Sequence, residues 1–126
     1  MNFNKAQLGA IEHKDGAMLV LAGPGSGKTA VITHRTKNLI TKHHVKPSEI
    51  LVITFTKAAA NEMKERFNSL MKDERVNVSF GTFHAVFFTI LKYAYRFTSA
   101  NIADESVRYG FIREILSYYR LEYKVE

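Results

Sequence analysis

The chain has 126 residues, of which 46% are hydrophobic and 24% charged, and it contains no cysteine. Its length suits one domain, and its composition is globular rather than disordered. No apolar run approaches the roughly 20 residues of a membrane span, and the N-terminal residues lack the order of a secretory signal. The absence of cysteine excludes disulfides and thiolate metal sites and suits a reducing cytoplasm. The net charge of +6 favours a polyanionic partner.

Helices and short apolar strands alternate along the chain. Predicted helices are residues 5–13, 28–43, 57–71, 83–95 and 104–119, and predicted strands are 17–22, 50–55 and a third segment with alternating Val76, Val78 and Phe80. The helices follow from apolar residues at helical spacing, and the first two strands from continuous apolar runs, which indicate burial on both faces. Asn4 is the expected cap of the first helix, Asp15-Gly16 a turn, and residues 42–49 a loop around Pro47.

The apolar stripe of each helix predicts the side that faces the core. Residues expected to point inwards are Ala6, Ala10 and Ile11, then Val31, Ile32, Leu39 and Ile40, then Ala59, Met63, Phe67 and Leu70, and finally Val107, Phe111, Ile112, Ile115 and Tyr119. Buried strands joined by helices predict a parallel α/β sheet, because parallel neighbours need crossover connections. Ligands of such sheets bind beyond the carboxyl ends of the strands.

A glycine-rich segment follows the first predicted strand at that edge. Residues 22–29 read A-G-P-G-S-G-K-T, which matches the phosphate-binding loop G-x-x-x-x-G-K-[ST] except that Ala22 replaces the first glycine. Bare backbone lets successive N–H groups surround phosphate oxygens, Lys28 reaches the β- and γ-phosphates, and the Thr29 hydroxyl ligates Mg²⁺. The alternative is a glycine-rich turn with a solvent-exposed lysine. A dinucleotide-binding fold is disfavoured because the spacing G-x-G-x-x-G is absent.

Four segments together resemble the N-terminal RecA-like domain of superfamily 1 DNA helicases of the UvrD/Rep type. Residues 3–7 (F-N-K-A-Q) resemble the Q motif, residues 22–29 resemble motif I, residues 50–66 resemble motif Ia, and residues 81–84 (G-T-F-H) resemble motif Ib. The resemblance covers most of residues 1–95, with the motifs in family order. It implies a P-loop three-layer sandwich that is truncated in this chain, with residues 1–97 as a partial ATP-binding domain. Residues 98–126 resemble, loosely, the start of an inserted helical subdomain.

The resemblance also implies ligands and roles. ATP and Mg²⁺ are the expected cofactors, with Lys28 and Thr29 catalytic and Thr29 holding the metal. Residues expected at the nucleotide are Gln7, Ala22, Gly23, Pro24, Gly25, Ser26, Gly27, Lys28 and Thr29, with Gln7 reading the adenine edge. Residues expected at DNA are Phe55, Thr56, Lys57, Thr82, Phe83 and His84. Single-stranded and duplex DNA are the expected partners, and no membrane is expected.

Several of these residues have a second interpretation in the sequence. Gln7 could be a polar residue on the solvent face of a short helix, Phe55 a core residue, and His84 an ordinary buried histidine. Adjacent His43 and His44 are interpreted as a solvated helix end, not a metal site.

Two positions depart from the family pattern. Ala30 stands where arginine is usual beside the adenine. Lys57-Ala58 stands where asparagine-lysine is usual, so the lysine is one position displaced.

The expected protein is an ATP-dependent DNA helicase of which this chain is a piece. No acidic D-E-x-x strand follows, and the second RecA-like domain is absent, so we expect the chain alone to be inactive. Translocation from 3′ to 5′ and service in DNA repair, replication or recombination are implied by resemblance only. A non-catalytic P-loop nucleotide- or nucleic-acid-binding module, a RecB/AddA-like helicase–nuclease subunit and a P-loop kinase are the alternatives, the last disfavoured because no arginine-rich lid is present.

Overall fold

The computed structural model describes residues 2–72 and 76–121. The chain divides into two compact units, Met1–Val86 and Phe87–Glu126. The domain boundary predicted after residue 97 stays a prediction. The fold is α/β, with several helices and a small parallel sheet, as the alternating pattern predicted.

The elements of the first unit follow one another in an order close to the predicted one. They are helix α1 (Lys5–Glu12), helix α2 (Lys28–Thr41), a 3-10 turn (Pro47–Glu49), strand β1 (Leu51–Thr54), helix α3 (Lys57–Leu70), strand β2 (Ser79–Thr82) and the beginning of helix α4 (Phe83–Tyr95). The third strand was predicted around Val76, Val78 and Phe80, and the observed strand begins later, at Ser79.

Strands β1 and β2 lie side by side and parallel. Leu51 is opposite Ser79, and the register continues to Thr54 opposite Thr82. Helix α3 connects the two strands and packs against both of them, as a crossover helix must. The two strands therefore end at the same edge of the sheet, and each is followed at once by a helix.

The core of the first unit lies between α3, the sheet and α2. Phe67 of α3 is completely buried, and its ring lies 5.6 Å from that of Phe80. The buried cluster consists of Ile50, Val52, Phe67, Met71 and Val78, with Leu39, Ile40, Val45, Met63, Val76 and Phe80 packed against it. The inward positions predicted for Met63, Phe67, Leu39 and Ile40 agree with this cluster.

The part of α2 before Leu39 buries residues other than those predicted. Its buried residues are Ala30, Thr33 and Thr36, whereas Ile32 is exposed. The threonine hydroxyls are satisfied within the helix, since Thr33 Oγ1 donates to Thr29 O at 3.0 Å and Thr36 Oγ1 donates to Ile32 O at 2.9 Å. A buried hydroxyl with a backbone partner avoids the cost of desolvation, so threonine is tolerated at a helix contact.

The strand predicted at residues 17–22 is wrong for this structure. Residues 17–23 have neither helix nor strand, and Leu19 and Leu21 are 85% and 88% exposed. A strand requires a neighbour that accepts and donates its ladder hydrogen bonds, and the described sheet consists of β1 and β2 only. Ala6, predicted to point inwards, is also exposed, while its neighbours Ala10 and Ile11 are buried.

The second unit contains the rest of α4, a 3-10 turn (Ser99–Asn101) and helix α5 (Glu105–Tyr118). Asp104 caps α5, because its carboxylate accepts from Val107 N at 2.9 Å. The predicted inward face of α5 is wrong for this structure, since none of Val107, Phe111, Ile112, Ile115 and Tyr119 is buried. An apolar stripe shows that a helix is able to pack, but the stripe is buried only where another surface covers it. Among the described helices, none is both long and apolar enough to cross a lipid bilayer.

Candidate nucleotide-binding and DNA-binding sites

The glycine-rich loop between residue 22 and α2 has the backbone of a tight turn. Ser26 N donates to Gly23 O at 3.4 Å, and both Gly25 and Gly27 have positive φ, +71° and +78°. Gly27 is the N-cap of α2 and makes no side-chain capping bond. Glycine is required at these two positions because a Cβ disfavours positive φ, and the loop delivers the chain directly to the positive end of the α2 dipole.

Lys28 is the first residue of α2, and its side chain turns back over the loop. Its Nζ donates to Gly23 O at 2.7 Å. Thr29 follows in the first turn of the helix and is half-buried. The ammonium group thus lies within hydrogen-bonding reach of the loop backbone, and a lysine ammonium group has two further N–H donors for an oxygen ligand.

Gln7 of α1 joins the same loop from another part of the chain. Its Nε2 donates to Ser26 O at 3.0 Å, while its Oε1 accepts from Asn4 N at 2.9 Å. Asn4 Oδ1 in turn accepts from Gln7 N at 2.9 Å, which completes a capping box at the start of α1. Gln7 is therefore half-buried against the loop, and the interpretation as a purely solvent-facing residue does not describe its contacts.

A cavity of about 490 Å³ lies between α1, residues 18–23 and α2. Its charged lining residues are Lys28 and Arg35, and no Asp or Glu is among the lining residues. The rest of the wall is mostly apolar, with the polar groups of Asn4, Gln7 and Ser26 at one part of it. The Ser26 hydroxyl is buried and has no hydrogen-bond partner within the described residues. A cavity of this kind accepts an anion that carries an apolar body.

The cavity brings together only part of the predicted nucleotide set. Gln7, Ala22, Gly23, Ser26 and Lys28 line it, whereas Pro24, Gly25, Gly27 and Thr29 are not among its lining residues. Gly27 nonetheless lies close to Gln7, since a Cβ built on Gly27 would be 3.3 Å from Gln7 Nε2.

Two aromatic side chains lie together at the carboxyl edge of the sheet. Phe55 follows β1, Phe83 follows β2, and their ring centroids are 5.5 Å apart at 49°. Phe55 is 88% exposed, so the interpretation as a core residue is wrong for this structure. The parallel register, with Thr54 opposite Thr82, accounts for the pairing, because the next residue of each strand leaves the sheet at the same level.

Two threonines cap the helices that begin at this edge. Thr56 Oγ1 accepts from Ala59 N and Thr82 Oγ1 accepts from Ala85 N, both at 3.2 Å. Lys57 and His84 are the next polar side chains on the two helices, and both are exposed. The interpretation of His84 as a buried histidine is therefore wrong. The predicted DNA set of Phe55, Thr56, Lys57, Thr82, Phe83 and His84 occupies one edge of one two-stranded sheet.

Sequence reasoning missed Arg35 as a residue of the cavity. Its Nη1 donates to Ala10 O at 2.9 Å and also to His13 O. Its position seven residues after Lys28, which is two helical turns, places both on one face of α2. That spacing was visible in the sequence. The reciprocal bond of Gln7 to Asn4 was also missed, although N-x-x-Q at a helix start is the capping-box spacing.

The sequence was then compared with families of known proteins. A family model described as the UvrD/REP helicase N-terminal domain matches residues 3–123, which is nearly the whole chain. The chain belongs to this family. The UvrD/REP assignment confirms the resemblance that the four motifs indicated.

Curated UvrD/REP relatives are considerably longer than this chain. "ATP-dependent DNA helicase SRS2" of Saccharomyces cerevisiae is 51% identical over 81 residues, which are 62% of this chain and 7% of that protein. "ATP-dependent DNA helicase PcrA" of Bacillus subtilis is 45% identical over 89 residues, 71% of this chain and 12% of that protein. The corresponding PcrA of Staphylococcus aureus is 42% identical over 91 residues, with 72% and 12% covered. The chain thus spans about a tenth of the relatives it matches.

Within the described residues no group of three or more His, Cys, Asp or Glu side chains is placed to hold a metal ion. His43 is half-buried and His44 is exposed with φ of +55°. Thr29 is the hydroxyl that follows the phosphate-loop pattern.

Proposed function

We propose that this chain is the ATP-binding part of a UvrD-like DNA helicase and that it binds ATP through residues 22–29. The observation that carries the proposal is the joining of the glycine loop, the start of α2 and Gln7 in one site. The loop is anchored to α1 by the bond from Gln7 Nε2 to Ser26 O, and it opens on a helix N-terminus whose cap is a glycine. Two separate segments of the sequence therefore meet in one small site.

The phosphates are expected at the N-terminus of α2. The first N–H groups of a helix have no partner inside it and attract anions, and no side chain takes that place at Gly27. The Lys28 ammonium group adds a full positive charge beside them, and its further N–H donors are able to bond to a phosphate oxygen. A bond from Lys28 to a charged oxygen is stronger than its present bond to a neutral carbonyl.

Mg²⁺ is expected to be held by the Thr29 hydroxyl together with nucleotide phosphates. This division of ligands suits an ion that keeps several waters and takes few protein ligands. When bound, the ion supplies charge neutralisation to the phosphates. The residues of the chain orient the nucleotide, and the cavity contributes no carboxylate that would activate water. We therefore expect the chain alone to turn over ATP negligibly.

The adenine base is expected at Gln7. An amide group has two N–H donors and two acceptor lone pairs on its oxygen, and the contacts with Ser26 O and Asn4 N use one of each. Gln7 thus retains one N–H for adenine N7 and one lone pair for the adenine amino group. Guanine presents an oxygen where adenine presents that amino group, so the free lone pair favours adenine.

The edge that carries Phe55 and Phe83 is the proposed DNA surface. An exposed ring at a strand end is able to stack on a base, and the N-termini of α3 and α4 begin beside it. Lys57 and the net charge of +6 supply attraction to the phosphate backbone. Binding of this kind is independent of sequence and strongly dependent on salt.

The activity of the whole protein is part of the same proposal. We propose that a longer protein containing this chain couples ATP hydrolysis to movement along single-stranded DNA and to duplex unwinding, in the 3′ to 5′ direction. We propose from the family alone that this protein acts in DNA repair, replication or recombination and that it is cytoplasmic. The second RecA-like domain would belong to the remainder of that protein, in keeping with the short share of the relatives that this chain covers.

Two measurements test the proposal. Calorimetric titration of the 126-residue chain with Mg²⁺-ATP is expected to give weak saturable binding without phosphate release. In a longer protein carrying the chain, single-stranded DNA is expected to stimulate phosphate release. Binding without DNA stimulation would favour the non-catalytic module, and phosphate transfer to an acceptor other than water would favour a kinase.

A further inference from the structure

The C-terminal end of α1 is fastened to α2 by two side chains. Arg35 Nη1 donates to Ala10 O and His13 O, and Asn38 Nδ2 donates to Ile11 O at 3.1 Å. The last carbonyls of a helix have no partner within the helix, so these three bonds satisfy groups that would otherwise need water. Arg35 and Asn38 are three residues apart on α2 and therefore face the same way. We call this pair of side chains the α1 clamp.

The opposite end of α1 carries the residue proposed to read adenine. Gln7 is in the first turn of α1 and bonds to Ser26 O of the phosphate loop. Helix α1 has only eight residues, which is too short for stability by itself in water. Its position is therefore set by its contacts, and α1 packs against α2. A shift at the clamp would move Gln7 relative to the loop.

The guanidinium group of Arg35 is bonded to backbone and not to a carboxylate. No ion pair of Arg35 is found within the described residues, and its hydrogen bonds end on Ala10 O and His13 O. A cation at a helix C-terminus is favoured by the helix dipole, and a planar guanidinium group holds a fixed geometry. These features suit a residue that determines the position of a helix.

We propose that the α1 clamp is a positioning device for base selection. Arg35 and Asn38 hold α1 so that the Gln7 amide faces the base of a nucleotide bound at the phosphate loop. The clamp acts through Gln7: Arg35 also lines the cavity, but the hydrogen bonds of its guanidinium group end on the backbone oxygens of Ala10 and His13. The proposal rests on the proposed function, since it presupposes that the loop binds nucleotides.

The test compares Arg35→Met with the unchanged chain and with Arg66→Met. Arg66 lies on the exposed face of α3 beside Glu62, so its loss changes the net charge equally without touching α1. Affinities for ATP, GTP and inorganic tripolyphosphate are measured by calorimetry. Arg35→Met is expected to reduce the ratio of ATP to GTP affinity from about two- to tenfold to about one, because the Gln7 hydrogen bond then no longer discriminates between the bases. Tripolyphosphate carries no base, so its affinity is expected to be the same in Arg35→Met and in Arg66→Met, each of which has lost one positive charge.

A double-variant cycle and hydrogen exchange separate positioning from a merely structural role. In a Gln7→Ala background, Arg35→Met is expected to change the ATP to GTP ratio no further, because both act through one amide. In the absence of nucleotide, the α1 amides of residues 9–13 are expected to exchange about tenfold faster in Arg35→Met, while those of α3 and β1 keep their rates. If Arg35→Met does not fold, Asn38→Ala removes one clamp bond and carries the same comparison with a smaller effect.

Each outcome has a distinct meaning. A faster exchange of α1 with an unchanged ATP to GTP ratio would overturn the proposal, since the clamp would then be structural only. A loss of tripolyphosphate affinity in Arg35→Met that exceeds the loss in Arg66→Met would also overturn it, because Arg35 would then contact the phosphates directly. An unchanged chain that binds neither nucleotide nor tripolyphosphate contradicts the proposed function itself, whatever the exchange data show.

Discussion

Lys28 Nζ lies 2.7 Å from Gly23 O, so the side chain of the first residue of α2 bridges back across the loop that precedes it. Lys28 is five positions after Gly23 in the sequence, and the turn between them depends on positive φ at Gly25 and Gly27. The bond keeps the ammonium group beside the loop backbone, where a phosphate would bind.

Replacement of Lys28 by alanine is expected to weaken ATP binding by about 1.5–3 kcal/mol, the amount associated with a hydrogen bond to a charged group. Calorimetric titration with Mg²⁺-ATP measures the change. The matched control is Lys42→Ala, which removes the same charge from the exposed C-terminal end of α2, where Lys42 lies 3.6 Å from Glu12. Equal affinities in Lys28→Ala and Lys42→Ala would remove Lys28 from the site.

Gln7→Ala is expected to abolish a preference for ATP over GTP that amounts to about two- to tenfold, equivalent to one hydrogen bond. The physical reason is the free lone pair of Gln7, which accepts from adenine and is repelled by the guanine oxygen. Competition of ATP and GTP for a fluorescent nucleotide gives the ratio. Asn4→Ala is the control, because it weakens the α1 cap by about 1 kcal/mol while the Gln7 amide remains. A ratio that is unaltered in Gln7→Ala argues against adenine recognition at this residue.

Phe55→Ala is expected to reduce the affinity for single-stranded DNA by about 1–3 kcal/mol for each base that stacks on the ring. The stability of the fold should change little, since the side chain is 88% exposed. Fluorescence anisotropy with a labelled oligothymidine at two salt concentrations measures both the affinity and its salt dependence.

Tyr93→Ala serves as the control for Phe55→Ala. Tyr93 is 87% exposed, so both substitutions remove an exposed aromatic ring. A similar loss of DNA affinity in both variants, or in neither, would show that the DNA surface lies elsewhere. A flat response to salt would count against the contribution of the positive charge.

Gly27→Ala and Gly9→Ala are expected to have opposite effects on the free energy of unfolding. At Gly27, φ is +78° and the new Cβ would lie 3.3 Å from Gln7 Nε2, so the substitution costs about 1–2 kcal/mol. At Gly9, inside α1, a Cβ meets nothing within 4 Å, and alanine should stabilise by about 1 kcal/mol. Urea denaturation followed by circular dichroism gives both values. A stabilising Gly27→Ala would mean that the loop does not have the described backbone.

Helix α5 is expected to lose its cap at low pH. Hydrogen bonds from Val107 N and Ser106 Oγ lower the pKa of Asp104 below its usual value of 3.8. Because the pKa of Asp104 is depressed in the folded state, its stabilisation of α5 is complete above pH 3.8. The stabilisation is lost as the pH falls through the lower pKa of the folded state. Carbon chemical shifts of residues 105–118 measure the helicity. Asp104→Asn should keep the cap and remove this pH dependence, and a variant with the same titration as the unchanged chain would refute the assignment.

The local features of the fold were predictable from the sequence. The capping box of α1 needs only Asn4 and Gln7 three residues apart, and the positive φ of the loop needs only glycine. The limits of α4 follow from its composition and from Thr82 before it. Strands β1 and β2 were recognisable as a parallel pair because a helix of suitable length separates them. In each case the deciding interactions lie within a few residues or one crossover unit.

Only the tertiary structure decided which apolar residues are covered. Helical spacing predicted the burial of Phe67, but the sequence left two interpretations of Phe55, which is exposed, because a phenylalanine at the end of an apolar strand is able to pack in the core or to face solvent. Residues 17–22 are as apolar as β1, yet they remain outside the sheet, and the stripe of α5 remains exposed. The hydrophobicity of a segment determines the free energy that its burial would gain. Burial itself requires a second surface or a hydrogen-bonding neighbour from elsewhere in the chain. The contacts of Arg35 with the end of α1 belong to the same class, since they depend on how two helices meet.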